Sequence, residues 1–242
     1  MISHPSRSQD RFATTRWSVV MHTAASSNAD ARGALAELVQ RYWYPIYAYV
    51  RRCGHGPAIA QDITASFLKH LMSEFRADQP GTAKGDFRRY LLNRLNAFLG
   101  SDWKDSIADD AVTELVAPDD LEQRYERDSA SVDTPEEAYQ RGFALEIIAR
   151  AFRRLRSEAN RAGHLGMYDL LQPYLGSDPG PGEYEALAQR LKSRPLALVV
   201  ALKRLRQRFR ELVGEELADT VTSAEELATE QSALHAVLAQ IR

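Results

Sequence analysis

Apolar residues recur every three or four positions over most of this chain, the spacing that lines one face of an α-helix. The first half contains four such segments, residues 14–24, 29–53, 56–75 and 85–103. The stripe predicted to face inward in the third segment is Ile59, Ile63, Phe67 and Leu71. Pro45 falls inside the second segment and predicts a bend there. These four helices follow one another closely enough to form one bundle.

The periodicity fades from about Asp105 to Thr134, which predicts an irregular linker with room for a short helix, and then resumes. Thr134 is a predicted N-cap, Pro135 suits the first helical position, and Glu137 stands where a capping box places an acid. The break "GSDPGPG" at residues 176–182 precedes a pair of helices. A last amphipathic helix follows, with Thr222 or Ser223 as its cap.

Alternation of β-branched residues is nearly absent, so the chain is predicted to be all-α. We expect two small helical domains joined by an acidic linker. The predicted boundaries are 11–105 for the first domain, 106–133 for the linker, 134–214 for the second domain and 215–242 for a C-terminal helical extension.

Composition places the protein among packed helical proteins of the cytoplasm. Its 242 residues are 44% apolar, and no apolar run approaches the length of a membrane span. The start, "MISHPSRSQDRF", lacks the apolar core of an export signal. Cys53 is the one cysteine and cannot form an internal disulfide, as is usual in a reducing compartment. We therefore expect a cytoplasmic protein without membrane partners.

The formal net charge of −2 hides a segregated distribution. Residues 102–137 contain thirteen Asp or Glu, opposed only by Lys104, Arg124 and Arg127. Residues 190–210 contain eight Lys or Arg and no acid. A single charge run is usually a solvated surface, but two runs of opposite sign call for a more specific interpretation.

Catalytic chemistry is not visible in the sequence. The six histidines are scattered without metal-ligand spacing, and there is no glycine-rich phosphate loop or Gly-x-Ser-x-Gly motif. We therefore predict that the protein is not an enzyme and needs no cofactor or metal.

The segment "EYEALAQRLKSRPLALVVALKRLRQRFREL" has the pattern of a helix-turn-helix. Tyr184, Leu187 and Leu191 would face inward, the turn would span 192–194, and a second helix would start at Pro195. The second helix of this motif enters the DNA major groove, and its basic flank contacts phosphates. The alternative is a basic amphipathic helix for a membrane surface or an acidic protein partner.

Six blocks extend this interpretation to the whole chain from about Arg11. They are "FATTRWSVV", "ALAELVQRYWYPIYAYVRR", "AQDITASFLKHLM", "FRRYLLNRLNAFL", "TPEEAYQRGFALEIIARAFRRL" and "ALKRLRQRFRELVGEELADTV", in that order. Together they resemble RNA polymerase sigma factors of the extracytoplasmic-function group, in particular a subgroup that begins with a Phe-Ala-Thr-Thr-x-Trp-Ser motif. One block alone would carry little weight; their shared order makes the resemblance specific.

The resemblance implies that the chain binds core RNA polymerase and opens promoter DNA without making bonds itself. Residues 57–73 would dock on the clamp coiled coil of the largest polymerase subunit through Asp62, Ser66 and Lys69. The implied contacts to the −10 element are Arg88, Arg89, Asn93, Arg94, Asn96, Trp103 and Lys104, which supply charge, amide edges and a stacking surface for single-stranded DNA. The implied contacts to the −35 element are Lys192, Arg194, Val199, Lys203, Arg204 and Arg206. The acidic linker would thread toward the RNA exit path.

The docking helix departs from the family in lacking acids at Ala58, Ile59 and Ser66. One turn separates Ser66 from Asp62, so the two are predicted to share a face, whereas Thr64 lies nearer the apolar stripe. A phosphate on Ser66 or Thr64 would restore about two negative charges. Some sigma factors resembling this one are switched on by Ser/Thr kinases, and we hypothesise such control here, with an anti-sigma factor as the other candidate regulator.

The turn of the helix-turn-helix also differs from the family pattern, since the family usually has glycine where Lys192 lies. Glycine adopts a positive φ freely and lysine only at a cost. Leu196, Val199 and Val200 place apolar atoms where contacts to base edges are expected. Three interpretations are open. These side chains contact thymine methyl groups, or they read no base and phosphate contacts supply most of the binding, or they face a protein partner. After "SDWKD" the chain turns acidic where the family tends to be basic, which predicts weaker DNA contact there.

Two other classes of function remain open at the level of sequence. One is a stand-alone helix-turn-helix regulator that binds duplex DNA as a dimer across two half-sites. The other is an interaction protein of sigma-like fold without promoter recognition. The pattern of the first bundle argues against the stand-alone regulator, while the apolar front of the second helix keeps the interaction protein open.

Overall fold

The structure is a computed structural model that describes residues 29–77, 87–101, 118–128, 134–218, 220–221 and 223–239. Its helices are α1 (Ala29–Arg52), α2 (Pro57–Ala77), α3 (Phe87–Leu99), α4 (Leu121–Asp128), α5 (Pro135–Arg161), α6 (Leu165–Leu171), α7 (Glu183–Arg190), α8 (Pro195–Ala218) and α9 (Ala224–Ala239), with one 3₁₀ turn at Gln172–Tyr174. These described ranges contain no strand, which confirms the all-α prediction. The helix predicted at 14–24 lies outside them.

The chain divides into two compact units. The first unit is Met1–Glu146 with Leu217–Arg242, and the second is Ile147–Glu216. This division differs from the predicted one, which started the second domain at residue 134 and treated 215–242 as a separate extension. The N-terminal part of α5 and all of α9 belong to the first unit.

The core of the first unit is built around α1. Its residues 41–50 are all buried, as expected for a helix surrounded by others. Ile63, Phe67 and Leu71 of α2 are buried as predicted, whereas Ile59 in the first turn is half exposed, so the predicted stripe is wrong at that position. The Phe67 ring packs on Phe98 of α3 with centroids 5.5 Å apart.

The close approach of α1 and α5 depends on a glycine. A Cβ atom at Gly142 would lie 3.0 Å from the Cα atom of Pro45, closer than unstrained packing allows. Beside this point the rings of Tyr42 and Phe143 stack, with centroids 5.4 Å apart. Because the atom facing Gly142 is backbone, a side chain there would force the two helices apart.

Two predicted helix caps are present. The Thr134 N–H donates to Glu137 Oε2 (3.0 Å), and the Glu137 N–H donates to Thr134 Oγ1 (3.2 Å). This reciprocal pair confirms the capping box at the start of α5. The Glu226 N–H donates to Ser223 Oγ (3.1 Å) at the start of α9, so Ser223 is a cap there.

Part of the acid-rich segment is a helix docked on α1. Arg51 donates from Nε (2.9 Å) and Nη2 (2.7 Å) to the two carboxylate oxygens of Glu122, and the Tyr44 hydroxyl donates to Asp128 (2.8 Å). The Arg51 guanidinium holds the pKa of Glu122 below its ordinary value, against the opposing effect of burial. Residues 121–128 are therefore a short helix docked in the first unit, within the segment predicted to be an irregular linker with room for a short helix. Residues 102–117 and 129–133 lie outside the described residues.

The second unit has two adjoining apolar clusters. One contains Leu171, Leu187, Ala188, Leu198 and Leu202, and the other contains Ala151, Leu155, Tyr168 and Leu212. Tyr184 and Leu191 pack against the first cluster, so the three residues predicted to face inward from the helix-turn-helix are confirmed. Burial of such a leucine stabilises the unit by about 1.5–3 kcal/mol.

Replacing Gly142 by Ala is expected to destabilise the protein by about 1–2 kcal/mol, because the overpacking at Pro45 exceeds the better helix propensity of alanine. Gly166→Ala is the matched control, since a Cβ atom there meets nothing within 4 Å. Urea unfolding followed by circular dichroism would measure both. Equal stability of the two variants would show that the approach of α1 and α5 does not need a glycine.

Candidate nucleic-acid interface

The second unit contains a helix-turn-helix at the predicted place. α7 ends at Arg190, residues 191–194 form the turn, and α8 begins at Pro195. The Ser193 N–H donates to the Ala188 carbonyl (2.9 Å), which closes the end of α7. Leu187 and Leu198 are buried in one cluster, so the core fixes the two helices against each other.

Lys192 adopts a left-handed backbone conformation, with φ of 49°. Among the described residues other than glycine it alone has a positive φ. This is the position where the resemblance to sigma factors predicts glycine, so the turn keeps its geometry while Lys192 bears a conformational cost.

Five of the residues predicted to contact the −35 element are exposed on and around the start of α8. They are Lys192, Arg194, Val199, Lys203 and Arg204. α8 directs Leu198 and Leu202 into the core, so its opposite face points to solvent. The outward face therefore combines cations with apolar side chains.

Arg206 has a different role from the predicted one. Its Nη2 atom donates to the carbonyl oxygens of Tyr174 (2.8 Å) and Ser177 (2.6 Å), and its Nη1 atom lies 2.7 Å from Asp178 Oδ1. The guanidinium thus holds the loop before α7 instead of projecting toward DNA. The prediction of Arg206 as a DNA contact is wrong for this arrangement, because its donors are already occupied.

Arg208 is also neutralised within the second unit. Its Nη2 and Nε atoms donate to the carboxylate oxygens of Glu158 (2.8 and 2.9 Å), and Nη1 contacts Glu211 and Glu215 (3.1 Å each). The Arg208 guanidinium holds the pKa of Glu158 below its ordinary value. The basic run is therefore cationic at its start, whereas Arg206 and Arg208 further along are neutralised by acids.

The first unit offers a second polar helix face, on α3. Arg89, Asn93 and Asn96 are exposed and, at spacings of four and three, lie on one side of the helix. The Tyr49 hydroxyl donates to Asn96 Oδ1 (2.6 Å), which fixes the amide and leaves its N–H donors for a ligand. Burial raises the pKa of Tyr49 to about 12, so it remains a hydrogen-bond donor at neutral pH.

Arg88 and Arg94 of the same helix have partners inside the protein. Arg88 is buried: its Nη2 atom lies 2.7 Å from Glu230 Oε1 of α9, and its guanidinium stacks on the Phe143 ring at 5.0 Å. Arg94 forms an ion pair with Glu74 of α2. The structure therefore contradicts the prediction of Arg88 as a DNA contact, since a buried, paired guanidinium is not presented to DNA.

The predicted docking helix, α2, presents its residues unevenly. Asp62 is exposed and Lys69 is half-buried, whereas Ser66 is only 7% exposed. Thr64 is fully buried, as its place near the apolar stripe predicted, and its Oγ1 donates to the Ala60 carbonyl (2.7 Å). Asp62 and Ser66 lie one turn apart on α2 as predicted, but the face that they share is buried at Ser66. A kinase would reach neither hydroxyl unless α2 moved.

Trp103 and Lys104 lie outside the described residues. The sequence analysis missed Tyr49 and Glu230. Tyr49 bonds to Asn96, which is 47 positions away, and Glu230 bonds to Arg88, which is 142 positions away. No local pattern marks such distant partners. A search for carboxylates at helical spacing in the last helix would at most have suggested that Glu230 shares a face with Glu226.

The described parts of the chain contain neither a cluster of metal ligands nor a membrane-spanning helix. No group of three or more His, Cys, Asp or Glu residues there could hold a metal ion. None of the helices described is both long enough and apolar enough to cross a membrane.

Comparison with known proteins found no matching family model, no matching curated protein and no matching solved structure.

Replacing Glu230 by Gln is expected to destabilise the protein by about 3 kcal/mol, because it removes the carboxylate that lies 2.7 Å from the buried Arg88 guanidinium. Thermal and urea unfolding would measure the change. Glu225→Gln, which alters an exposed carboxylate of the same helix, should stay within about 0.5 kcal/mol of the parent. Arg88→Met combined with Glu230→Leu should recover most of the stability, and a double variant as unstable as Glu230→Gln would contradict this account.

Replacing Lys192 by Gly is expected to stabilise the protein by about 0.5–1 kcal/mol. Removal of the Cβ atom relieves the left-handed conformation, and this gain exceeds the entropy that glycine adds to the unfolded chain. Lys192→Ala keeps the Cβ atom and removes the amine, so it should be near neutral. Equal unfolding midpoints for the two variants would show that the backbone at residue 192 is not strained.

Proposed function

We propose that this chain is a transcription initiation factor of the sigma type, which binds core RNA polymerase and directs it to promoter DNA. One observation carries the proposal: each of the two units exposes a helix face with the chemistry of nucleic-acid binding. In the first unit the face is Arg89, Asn93 and Asn96 on α3, and in the second it surrounds Lys203 and Arg204 on α8.

The two faces differ in the kind of DNA that they suit. Amide groups beside one guanidinium, as on α3, provide hydrogen bonds to the edges of unpaired bases and a charge for the backbone. A helix-turn-helix with a cationic second helix suits the major groove of duplex DNA. A protein that holds a duplex in one unit and a separated strand in the other would stabilise an opened promoter.

Association with polymerase is assigned to the exposed side of α2. Asp62 is exposed there, and the half-exposed Ile59 lies on the turn before it. An exposed carboxylate beside an exposed apolar side chain is a combination that suits a protein surface. Residues 121–128 are docked on α1, so we assign the path across the polymerase only to the rest of the acidic segment.

Run-off transcription with bacterial core polymerase tests the proposal. Transcripts from a promoter selected by the holoenzyme should depend on the added chain. Lys203→Ala should weaken promoter binding and lower the slope of log K against log salt by about 0.9, because one phosphate is no longer neutralised. Asp62→Lys should reduce association with core polymerase while leaving binding of duplex DNA by the chain unchanged.

Arg161→Ala is the matched control, since it removes an exposed guanidinium at the end of α5 that belongs to neither face. It should leave transcription and the salt slope unchanged. Failure of the wild-type chain to associate with core polymerase would reject the proposal.

A stand-alone DNA-binding regulator is the second candidate, and one observation favours it. The helix-turn-helix has its own two apolar clusters inside the second unit, as a module that binds duplex DNA by itself requires. Specific duplex binding as a dimer in the absence of polymerase, with no transcript in its presence, would favour this candidate.

A further inference from the structure

The outward face of the first turns of α8 is apolar. Leu196 is 74% exposed, Val199 40% and Val200 44%. With Lys203 they follow the spacing i, i+3, i+4, i+7, which places all four on one side of the helix. α8 therefore has a second apolar stripe, opposite the one that enters the core.

Cations surround this exposed stripe. Lys192 and Arg194 precede it and Lys203 and Arg204 follow it, and all four are exposed. Residues 190–210 contain no acid. In the loop before α7, the carboxylate of Asp178 is already paired with Arg206. The surface is thus a small apolar patch inside a positive rim.

The size and charge of this surface favour DNA over a protein partner. A stable protein interface buries about 800 Å² on each side, and three partly exposed side chains supply a small part of that. The DNA major groove admits one helix and places thymine methyl groups between two rows of phosphates. An apolar stripe with a cationic rim complements that arrangement in both shape and charge.

We propose that Leu196, Val199 and Val200 recognise thymine by contact with its C5-methyl group, while Lys203 and Arg204 hold the flanking phosphates. This inference rests on the proposed function, since it names the base chemistry that the second unit selects. The three apolar side chains offer no hydrogen-bond donor or acceptor, so they distinguish bases by the methyl group and not by the hydrogen-bonding edge.

Exchange of thymine for deoxyuridine tests the inference, because it removes the methyl group and keeps every hydrogen-bonding atom. The full chain, alone and with core polymerase, would first select duplexes from a random pool. Deoxyuridine within the selected site should weaken binding about fourfold for each thymine methyl group removed from the interface. The same exchange outside the site should have no effect.

The variant Val199→Thr/Val200→Thr provides the matched protein change, since threonine has the shape of valine and replaces one methyl group by a hydroxyl. This variant should lower the thymine-to-uracil binding ratio toward one, while Leu196 and the remaining threonine methyl groups keep part of the preference. Gln207→Ala, which alters an exposed residue later in α8, should keep the parent's ratio. Circular dichroism would confirm that each variant keeps its helix content.

The remaining outcomes each decide the matter. Equal binding of the two duplexes by the wild-type chain overturns the inference, as does failure to retain any duplex in either arm. If Val199→Thr/Val200→Thr weakens binding of core polymerase but leaves the thymine-to-uracil ratio unchanged, the stripe docks a protein and the inference fails.

The experiment separates this inference from the proposed function. Transcription that starts equally well on deoxyuridine-containing promoters leaves the proposed function standing and removes the inference. Methyl-dependent duplex binding without any association with core polymerase would support the inference and reject the proposed function.

Discussion

The inner stripe of α8 determines what the second unit presents to solvent. Leu198, Leu202 and Leu212 are almost fully buried, and a helix anchored along one side has no freedom to rotate about its axis. The helical period then forces Leu196, Val199 and Val200 outward. Their exposure follows from how the core is packed, and the left-handed turn at Lys192 sets where the helix starts.

Charge pairing decides which cations remain for a ligand. Arg88, Arg94 and Arg206 were all predicted from the resemblance to contact DNA, and each has an acidic partner inside the fold, namely Glu230, Glu74 and Asp178. For the buried Arg88 the pairing is essential, because an unpaired charge there would cost several kcal/mol. For the partly exposed Arg94 the pair is weaker, yet it still competes with a phosphate.

Local patterns predicted local features well. The helical periodicity, the capping box at Thr134 and Glu137 and the turn at residues 192–194 each depend on neighbours within a few positions. The errors have longer-range causes. Ser66 is buried although it shares a helix face with the exposed Asp62, and Glu122 is held by Arg51 from 71 residues away. Such partners depend on how helices cross, which spacing along one helix does not determine.

The near-zero net charge is consequently a poor guide to what the protein binds. Acids such as Glu122, Glu158 and Glu230 neutralise arginines within the fold, while Lys203 and Arg204 face solvent beside the apolar stripe. A polyanion responds to the local potential within about 10 Å, since salt screens more distant charges. A chain with a formal charge of −2 therefore still has a cationic surface at the start of α8, because that part of the helix contains no acid and Glu211 and Glu215, further along, pair with Arg208. The basic run in the sequence therefore forms a cationic surface only where the fold leaves its Lys and Arg side chains without acidic partners.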